Sequence, residues 1–136
     1  MIIKIATFNL FQFCSPEFSF YTKKEKFTKE DWEEKKNWIK EQLQKMDCDI
    51  VGFQEVFSQK ELKELVLECG FKEFVVAENP KLDEKNKVYK STTVALASKF
   101  PIKEIKKVSK NENFTFAREP IKATISLKND LEINVY

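Results

Sequence analysis

The 136-residue chain contains no histidine. Histidine is the commonest general acid or base of enzymes and the commonest protein ligand of metal ions. Its absence excludes, within this sequence, a catalytic triad of the serine-protease type and a metal site with histidine ligands. Any catalytic or metal-binding function must therefore rest on other side chains.

Cysteine is also scarce, and its three copies are Cys14, Cys48 and Cys69. An odd number without a C-x-x-C pair argues against a disulfide framework and against a structural zinc site. The apolar N-terminal segment is interrupted by polar residues and lacks the regions of a signal peptide. No segment approaches the roughly 18 to 20 apolar residues that span a bilayer. We therefore expect a cytoplasmic protein without a transmembrane segment.

The chain also lacks an excess of charge of either sign. Lysine and arginine total 24 against 22 acidic residues, and a net charge of +2 gives no overall field that would attract nucleic acid. Binding of a polyanion would therefore have to be local. With 42% hydrophobic and 34% charged residues, the composition is that of a soluble globular domain.

The first part of the chain predicts alternating strands and helices. Residues 2–10 and 49–56 are apolar and rich in β-branched side chains, which is typical of buried strands. Between them, residues 14–29 predict a long loop and residues 29–46 a helix, which a capping box beginning at Thr28 would start. This order predicts a β-α-β unit.

A second helix and a series of strands follow. A capping box formed by Ser58 and Glu61 predicts the start of this helix, and Gly70 lies where its C-cap belongs. The alternation in the later strands is typical of half-exposed antiparallel pairs, so we expect an α/β (α+β) fold. The later segments are a strand at 71–77, a polar loop at 78–91, and four strand-like runs at 92–98, 102–109, 114–127 and 131–136.

Two polar residues, Asn9 and Glu55, lie at the C-terminal ends of the two predicted buried strands. The helix between these strands favours a parallel pair with a right-handed crossover. Both side chains would then lie at one edge of the sheet, where α/β proteins bind ligands. A carboxylate there suits Mg²⁺, and an amide can orient a ligand or a phosphate oxygen without adding charge. Residues at strand ends also commonly cap helices or meet solvent, so spacing alone leaves both interpretations open.

Five segments of the chain, taken together and in their order, carry a resemblance to a known family. They are IKIATFNL (3–10), MDCDIVGFQEV (46–56), GF (70–71), TTVALASKFPI (92–102) and FAREPIKATISL (116–127). Together they resemble the N-terminal half of the endonuclease/exonuclease/phosphatase superfamily, a group of metal-dependent phosphodiesterases and phosphatases. The resemblance implies that residues 1–136 form a single incomplete domain. That domain would be half of a four-layer α/β/β/α sandwich, with a mixed sheet and two helices on one of its faces.

The resemblance also implies roles for individual residues. Glu55 matches a carboxylate that binds the metal ion, which is Mg²⁺ with Mn²⁺ as an alternative. Asn9 matches a catalytic amide. Arg118 matches a catalytic arginine that contacts the substrate phosphate in the deoxyribonuclease-like members, and its guanidinium fork suits phosphate. The alternative for Arg118 is a surface salt bridge on a half-exposed strand.

The function that the resemblance implies is hydrolysis of a phosphoester. Nucleic acid is the favoured substrate, and phospholipid or inositol phosphate is the alternative. Lys23 and Lys24 lie in a loop that mixes lysines with aromatic residues, which suits bases and phosphates or anionic lipid headgroups. Tyr89 is a further candidate for substrate contact. The alternatives are a solvated charge run anchored by aromatic rings, and a tyrosine of the loop or core.

The family pattern continues with a histidine-bearing segment, an Asp-x-Asn motif and a terminal Asp-His pair, none of which occurs in this sequence. Since these residues supply the acid/base groups, the resemblance implies that the chain carries only the Asn/Glu half of the site. We expect the isolated chain to be inactive, and its exposed sheet face to favour self-association or partial unfolding. The alternative function is an inactive remnant, or a half domain that binds a partner.

Overall fold

The computed structural model describes residues 1–108 and 115–136. Within these residues the chain forms three sheets, two α-helices and one 3₁₀ helix, η1, and no helix is long and apolar enough to cross a membrane. The elements, in chain order, are β1 (Ile5–Phe13), β2 (Ser19–Phe20), α1 (Lys29–Met46), β3 (Ile50–Val56), α2 (Gln59–Glu68), β4 (Glu73–Val76), β5 (Leu82–Asp83), β6 (Val88–Tyr89), β7 (Thr93–Ser98), β8 (Ile102–Lys107), β9 (Ile121–Ser126), η1 (Lys128–Asp130) and β10 (Glu132–Val135).

The main sheet has the strand order β1-β3-β7-β4. β1 and β3 pair in parallel, from Ile5 opposite Ile50 to Asn9 opposite Gln54, and the other pairs are antiparallel. Helix α1 occupies the connection between the two parallel strands, as a crossover requires. The predicted β-α-β unit is confirmed, and Asn9 and Glu55 therefore lie at the same edge of the sheet.

Helix α1 begins and ends where the sequence predicts. The backbone N–H of Asp31 donates a hydrogen bond to Thr28 Oγ1 at 3.1 Å, which satisfies one free N–H group of the first turn. The helix buries Trp32, Ile39 and Leu43 in the cluster that covers one face of the main sheet. These positions recur with helical spacing, so a single apolar stripe faces the core.

Helix α2 also lies where predicted, but its predicted cap does not form. The backbone N–H of Ser15 donates a hydrogen bond to Ser58 Oγ at 2.8 Å, and this hydroxyl makes no cap bond to α2. The predicted capping hydrogen bond from α2 to Ser58 is therefore wrong. The Ser58 oxygen instead accepts the buried N–H of Ser15, in the loop after β1. Gly70 adopts the left-handed φ of 92° that suits the end of a helix.

A second sheet, with the order β10-β9-β8, packs on the face of the main sheet opposite the helices. Ile50 and Leu96 of the main sheet form a buried cluster with Ala123 and Ile125 of β9, whereas the adjacent Val51 belongs to the cluster under the helices. The predicted fold class, with two helices on one face of a mixed sheet, is confirmed. The expectation of an exposed sheet face is wrong for the centre of the main sheet, since β9 covers it.

A third, small sheet forms within the two segments predicted as loops, 14–29 and 78–91. β2 pairs with β6 in parallel, and β5 pairs with β6 in the antiparallel sense. Its aromatic side chains Phe20 and Tyr89 pack in a separate cluster with Phe57, which follows β3. Strands of two residues are too short to show an alternating pattern, which explains why the sequence predicts loops here.

The strand predicted over 114–127 is shorter in the structure. β9 begins at Ile121, directly after Pro120, whose nitrogen carries no hydrogen for a strand ladder. Arg118 therefore lies in the segment before the strand, which corrects the prediction of a half-exposed strand at this position. Residues 109–114 lie outside the described residues. They include the last residue of the strand predicted over 102–109 and the first residue of the strand predicted over 114–127.

Leu65 and Leu67 offer a matched test of the packing of α2, because Leu65 is 1% exposed and Leu67 is 46% exposed. We expect Leu65→Ala to lower the free energy of unfolding by about 2–5 kcal/mol and Leu67→Ala by less than about 1 kcal/mol. Only the first substitution leaves a cavity in the core. Urea denaturation followed by circular dichroism measures both values. Equal losses would show that Leu65 does not anchor α2 in the core.

Candidate metal and phosphate site

Asn9 and Glu55 meet at the carboxyl end of the parallel strand pair. Asn9 Nδ2 donates a hydrogen bond to Glu55 Oε1 at 3.3 Å, although 46 positions separate the two residues in the sequence. Asn9 is exposed and Glu55 is half-buried. The pair is therefore fixed by the fold and still open to solvent.

The backbone of Glu55 is distorted, and the distortion redirects its side chain. Its φ of 60° lies in the left-handed region, which costs a residue with a Cβ roughly 1–2 kcal/mol. The register of β3 is interrupted here with both neighbouring strands, after Asn9 on the β1 side and between Phe53 and Val56 on the β7 side. Strict alternation along the strand therefore cannot predict the direction of Glu55.

Gln54, next to Glu55 in the sequence motif, has partners of its own. Its Nε2 group donates hydrogen bonds to Thr7 Oγ1 at 3.0 Å and to the carbonyl oxygen of Gly52 at 3.3 Å. Thr7 belongs to β1, two residues before Asn9. Gln54 thus ties β3 to β1 beside the site, which stabilises the edge that carries Asn9.

An irregular turn inside β1, between Asn9 and Phe13, supplies backbone N–H groups to both side chains of the pair. The Gln12 N–H donates to Glu55 Oε2 at 3.0 Å, and the Phe11 N–H donates to Asn9 Oδ1 at 2.9 Å. Phe11 and Gln12 have φ values of 49° and 63°, which turn the chain toward the pair. Neither residue is among the predicted site residues, because backbone donors leave no side-chain pattern in a sequence.

Lys35 of α1 supports this turn from the side of the helix. Its Nζ donates a hydrogen bond to the carbonyl oxygen of Phe11 at 2.8 Å and lies 5.7 and 5.2 Å from the ring centroids of Phe11 and Phe27. Burial lowers the pKa of Lys35, while the negative charge of Glu55 acts in the opposite direction. Lys35 is not among the predicted residues, although a lysine three positions after the buried Trp32 shares its helical face and is a usable signal.

The arrangement fits a hard metal ion that keeps most of its water ligands. Both Glu55 oxygens accept a hydrogen bond, and since a carboxylate has about four acceptor positions, lone pairs are left for a cation. Asn9 directs its NH₂ group at Glu55 and accepts the Phe11 N–H with its Oδ1, so these hydrogen bonds orient the carboxylate. Within residues 1–108 and 115–136, no three His, Cys, Asp or Glu side chains are grouped to hold a metal. This sparse oxygen set suits Mg²⁺ or Mn²⁺ and does not suit a closed zinc site.

Arg118 is held at the same edge of the main sheet. Its Nε donates a hydrogen bond to Thr92 Oγ1 at 2.6 Å, and its Nη1 donates to the preceding carbonyl oxygen at 2.9 Å. Thr92 immediately precedes Thr93, which pairs with Val56, the residue after Glu55. Because Arg118 is bonded to Thr92, it lies near the end of β3. Arg118 is exposed. The alternative role for Arg118 is a surface salt bridge, but its guanidinium forms no ion pair with any residue in the described part of the chain.

The three remaining predicted contacts lie in the small sheet and its loop. The ring of Tyr89 packs against Phe57 and Phe18, with centroids 5.7 and 5.1 Å apart. Burial raises the pKa of the Tyr89 hydroxyl. Lys23 and Lys24 are exposed in the loop after β2. The structure fixes these positions, and a role in binding substrate stays a prediction for all three.

A solved structure with a similar fold was found by comparison with this chain. The chain aligns with an endonuclease/exonuclease/phosphatase family protein from Leptotrichia buccalis C-1013-b, with a TM-score of 0.54 and 14% sequence identity. The alignment covers 98% of this chain and 52% of that chain, so this chain spans about half the length of the solved protein. No model of a known protein family and no curated protein matches the sequence. The likeness is one of fold, and its coverage fits a half domain.

Proposed function

We propose that the chain is the metal-binding and phosphate-binding half of a phosphoester hydrolase of the endonuclease/exonuclease/phosphatase type. The observation that carries this proposal is the Glu55 carboxylate, which the Asn9 amide and the Gln12 N–H hold at the end of β3. The likeness in fold to a member of that family supports it. Nucleic acid is the favoured substrate because lysines and aromatic residues share the loop after β2. Phospholipid and inositol phosphate are the alternatives.

In this proposal, Glu55 would hold Mg²⁺ or Mn²⁺ and Arg118 would hold a phosphate oxygen. Such an ion, when bound, neutralises charge on a phosphate and lowers the pKa of water. Asn9 orients the carboxylate and Thr92 orients the guanidinium through hydrogen bonds present in the folded chain. Groups positioned in advance need no reorganisation during the reaction, which is the main way that such sites accelerate it.

The proposed half site lacks a general acid or base. The sequence has no histidine. The ammonium group of Lys35, although burial lowers its pKa, is hydrogen-bonded to a backbone carbonyl. General acid/base catalysis is typically worth about 10²–10⁴ in rate. We therefore propose that turnover requires groups from a further polypeptide segment.

A second candidate function is an inactive half domain that binds a partner, such as a second copy of the chain. A groove of about 410 Å³ between the main and second sheets favours this function, and most of its lining is apolar. Ile5 and Tyr136 border the groove and are 56% and 79% exposed. Exposed apolar surface beside a groove is a common feature of interaction sites.

Glu55→Gln tests the metal role. We expect the dissociation constant for Mg²⁺ or Mn²⁺ to rise at least about tenfold, because the amide has no negative charge. Asn9→Ala should give a smaller loss, since it removes only an orienting hydrogen bond. Isothermal titration calorimetry measures the constants, with Glu64→Gln on exposed α2 surface as the control of equal charge change. Unchanged binding in Glu55→Gln would contradict the metal role and favour the partner-binding function.

Arg118→Gln tests the phosphate role. We expect the Mg²⁺-dependent binding of inorganic phosphate to weaken about tenfold or more, because hydrogen bonds to a charged group are worth about 1.5–3 kcal/mol. Arg118→Lys should restore little of the phosphate affinity. A lysine ammonium lacks the planar fork with which the guanidinium can bond Thr92 and phosphate at the same time. Phosphorus NMR titration measures the affinity, and the exposed Lys128→Gln in η1 is the control. If Arg118→Gln binds phosphate normally, this side chain serves only to fix the segment before β9.

The chain by itself should not hydrolyse phosphoesters. With Mg²⁺ or Mn²⁺ we expect no turnover of DNA, RNA, sphingomyelin or an inositol phosphate above that of Glu55→Gln, because the half site supplies no acid/base group. Assays of product release on this panel measure the rates. Turnover that disappears in Glu55→Gln would overturn the half-site proposal, and the substrate that is cleaved would identify the class.

A further inference from the structure

We propose that the chain has a second phosphate-binding site, a cleft lined by Lys23, Lys26, Lys85 and Lys87, that holds the backbone of a nucleic-acid strand. The cleft lies between the loop after β2 and the turn from β5 to β6, and its volume is about 330 Å³. The choice of nucleic acid rests on the proposed function. The anion-binding character of the cleft does not depend on it.

The two walls of the lysine cleft are fixed by backbone contacts. The Ser19 N–H donates a hydrogen bond to the carbonyl oxygen of Lys87 at 3.0 Å, and the Ser19 hydroxyl donates to the same oxygen at 3.4 Å. β2 and β6 pair directly beside these bonds. Lys87 has a left-handed φ of 54°, which turns the chain between Asn86 and β6. The lysines are therefore carried by two segments whose relative position is set.

The charge of the lysine cleft is largely uncompensated. Glu17 is the carboxylate among its lining residues, and its contact with Lys87 is long, 3.8 Å, and exposed on both sides, so it contributes little. Lys23, Lys26 and Lys85 form no ion pair with any residue in the ranges 1–108 and 115–136. Four lysines and one glutamate give the lining a charge of +3, against +2 for the whole chain. The cleft is thus a local concentration of positive charge.

Asp83, a carboxylate of β5, is already hydrogen-bonded within its own turn. Asp83 accepts hydrogen bonds from the backbone N–H and the side-chain Nδ2 of Asn86, at 3.2 and 2.8 Å. These hydrogen bonds from Asn86 hold the pKa of Asp83 below its ordinary value. Asp83 therefore shapes the turn that carries Lys85 and Lys87. The exposed lysines of the cleft are therefore available to an anion from solution.

The chemistry of the lining favours phosphate groups on a polar chain. The residues that line the cleft are all polar or charged, so it offers little apolar surface for an acyl chain. Lysine ammonium groups bind phosphate as point charges without a fixed geometry, which suits a backbone that can shift along the cleft. A nucleic-acid strand meets both conditions. A membrane surface is bound more firmly by an apolar face with several anchors, and the lining of this cleft supplies none.

The aromatic cluster of the small sheet joins the lysine cleft to the Asn9–Glu55 pair. Phe57 follows Glu55 by two residues, and its ring lies 5.8 Å from that of Phe20 in β2. Tyr21 follows β2 directly, packs edge-on against Phe57 at 5.4 Å, and is 42% exposed. An exposed ring between two phosphate-binding positions is suited to stack on a base. The cleft would therefore hold the strand beside the site, at a distance from the bond that is cleaved.

Binding of a labelled single-stranded DNA of about 12 nucleotides, a length within the known range of single-strand sites, tests the lysine cleft by fluorescence anisotropy. The buffer contains EDTA, so the proposed metal site is inactive. We expect the double variant Lys23→Glu, Lys85→Glu to bind about tenfold more weakly or worse at low salt, with a shallower salt dependence. The Gln versions of both substitutions should give a smaller loss. The double variant Lys45→Glu, Lys72→Glu has the same charge change elsewhere on the exposed surface and is the control.

Equal loss in the two Glu double variants would overturn the lysine cleft, because overall charge would then explain the binding. Tripolyphosphate and phosphatidylserine vesicles identify the source of the phosphate. Binding of either one that depends on Lys23 and Lys85, without binding of DNA, would overturn the nucleic-acid assignment. Because EDTA removes free divalent cations, binding of DNA in this buffer does not depend on a metal ion at Glu55. The lysine cleft can therefore be confirmed even if the proposed metal function is wrong.

Discussion

The parallel pairing of β1 with β3 is the interaction on which the rest of the structure depends. Parallel neighbours need a crossover, and α1 supplies it while covering one face of the sheet with its apolar stripe. β3 in turn pairs with β7, which brings Thr92, and with it Arg118, to the edge where β3 ends. Without this pairing, Asn9 and Glu55 would have no reason to meet.

The edge formed in this way is strained, and tertiary contacts maintain the strain. Phe11, Gln12 and Glu55 all have left-handed φ values, at a cost of roughly 1–2 kcal/mol each. Hydrogen bonds from the turn to the two site side chains, and from Lys35 to the turn, offset part of this cost. Because Lys35 belongs to α1, the helix that creates the parallel pair also supports the turn. The geometry at Glu55 is therefore a property of the whole fold.

This dependence explains which features the sequence could predict. The cap at Thr28 and the apolar stripe of α1 are local patterns, and together with two apolar strands they predict the meeting of Asn9 with Glu55. The Gln12 N–H cannot be predicted, because its direction results from the left-handed turn. Ser58 carries a sound capping signal, but a distant backbone N–H uses its oxygen. Tertiary structure decides which N–H group bonds the Ser58 oxygen. It also determines the two-residue strands of the small sheet, which show no local sequence pattern.

The charges at the edge bear on how a metal and a phosphate would share the proposed site. Glu55 is the carboxylate of the proposed site, and the positive charge of Lys35 compensates part of its charge. A cation at Glu55 alone would therefore gain less than it would from an isolated carboxylate. A phosphate on Arg118 would bring both negative charge and oxygen ligands, which are what a water-rich Mg²⁺ site usually takes from its substrate. In the proposed site, each ligand would complete the coordination of the other, so one carboxylate would be enough for binding without being enough for turnover.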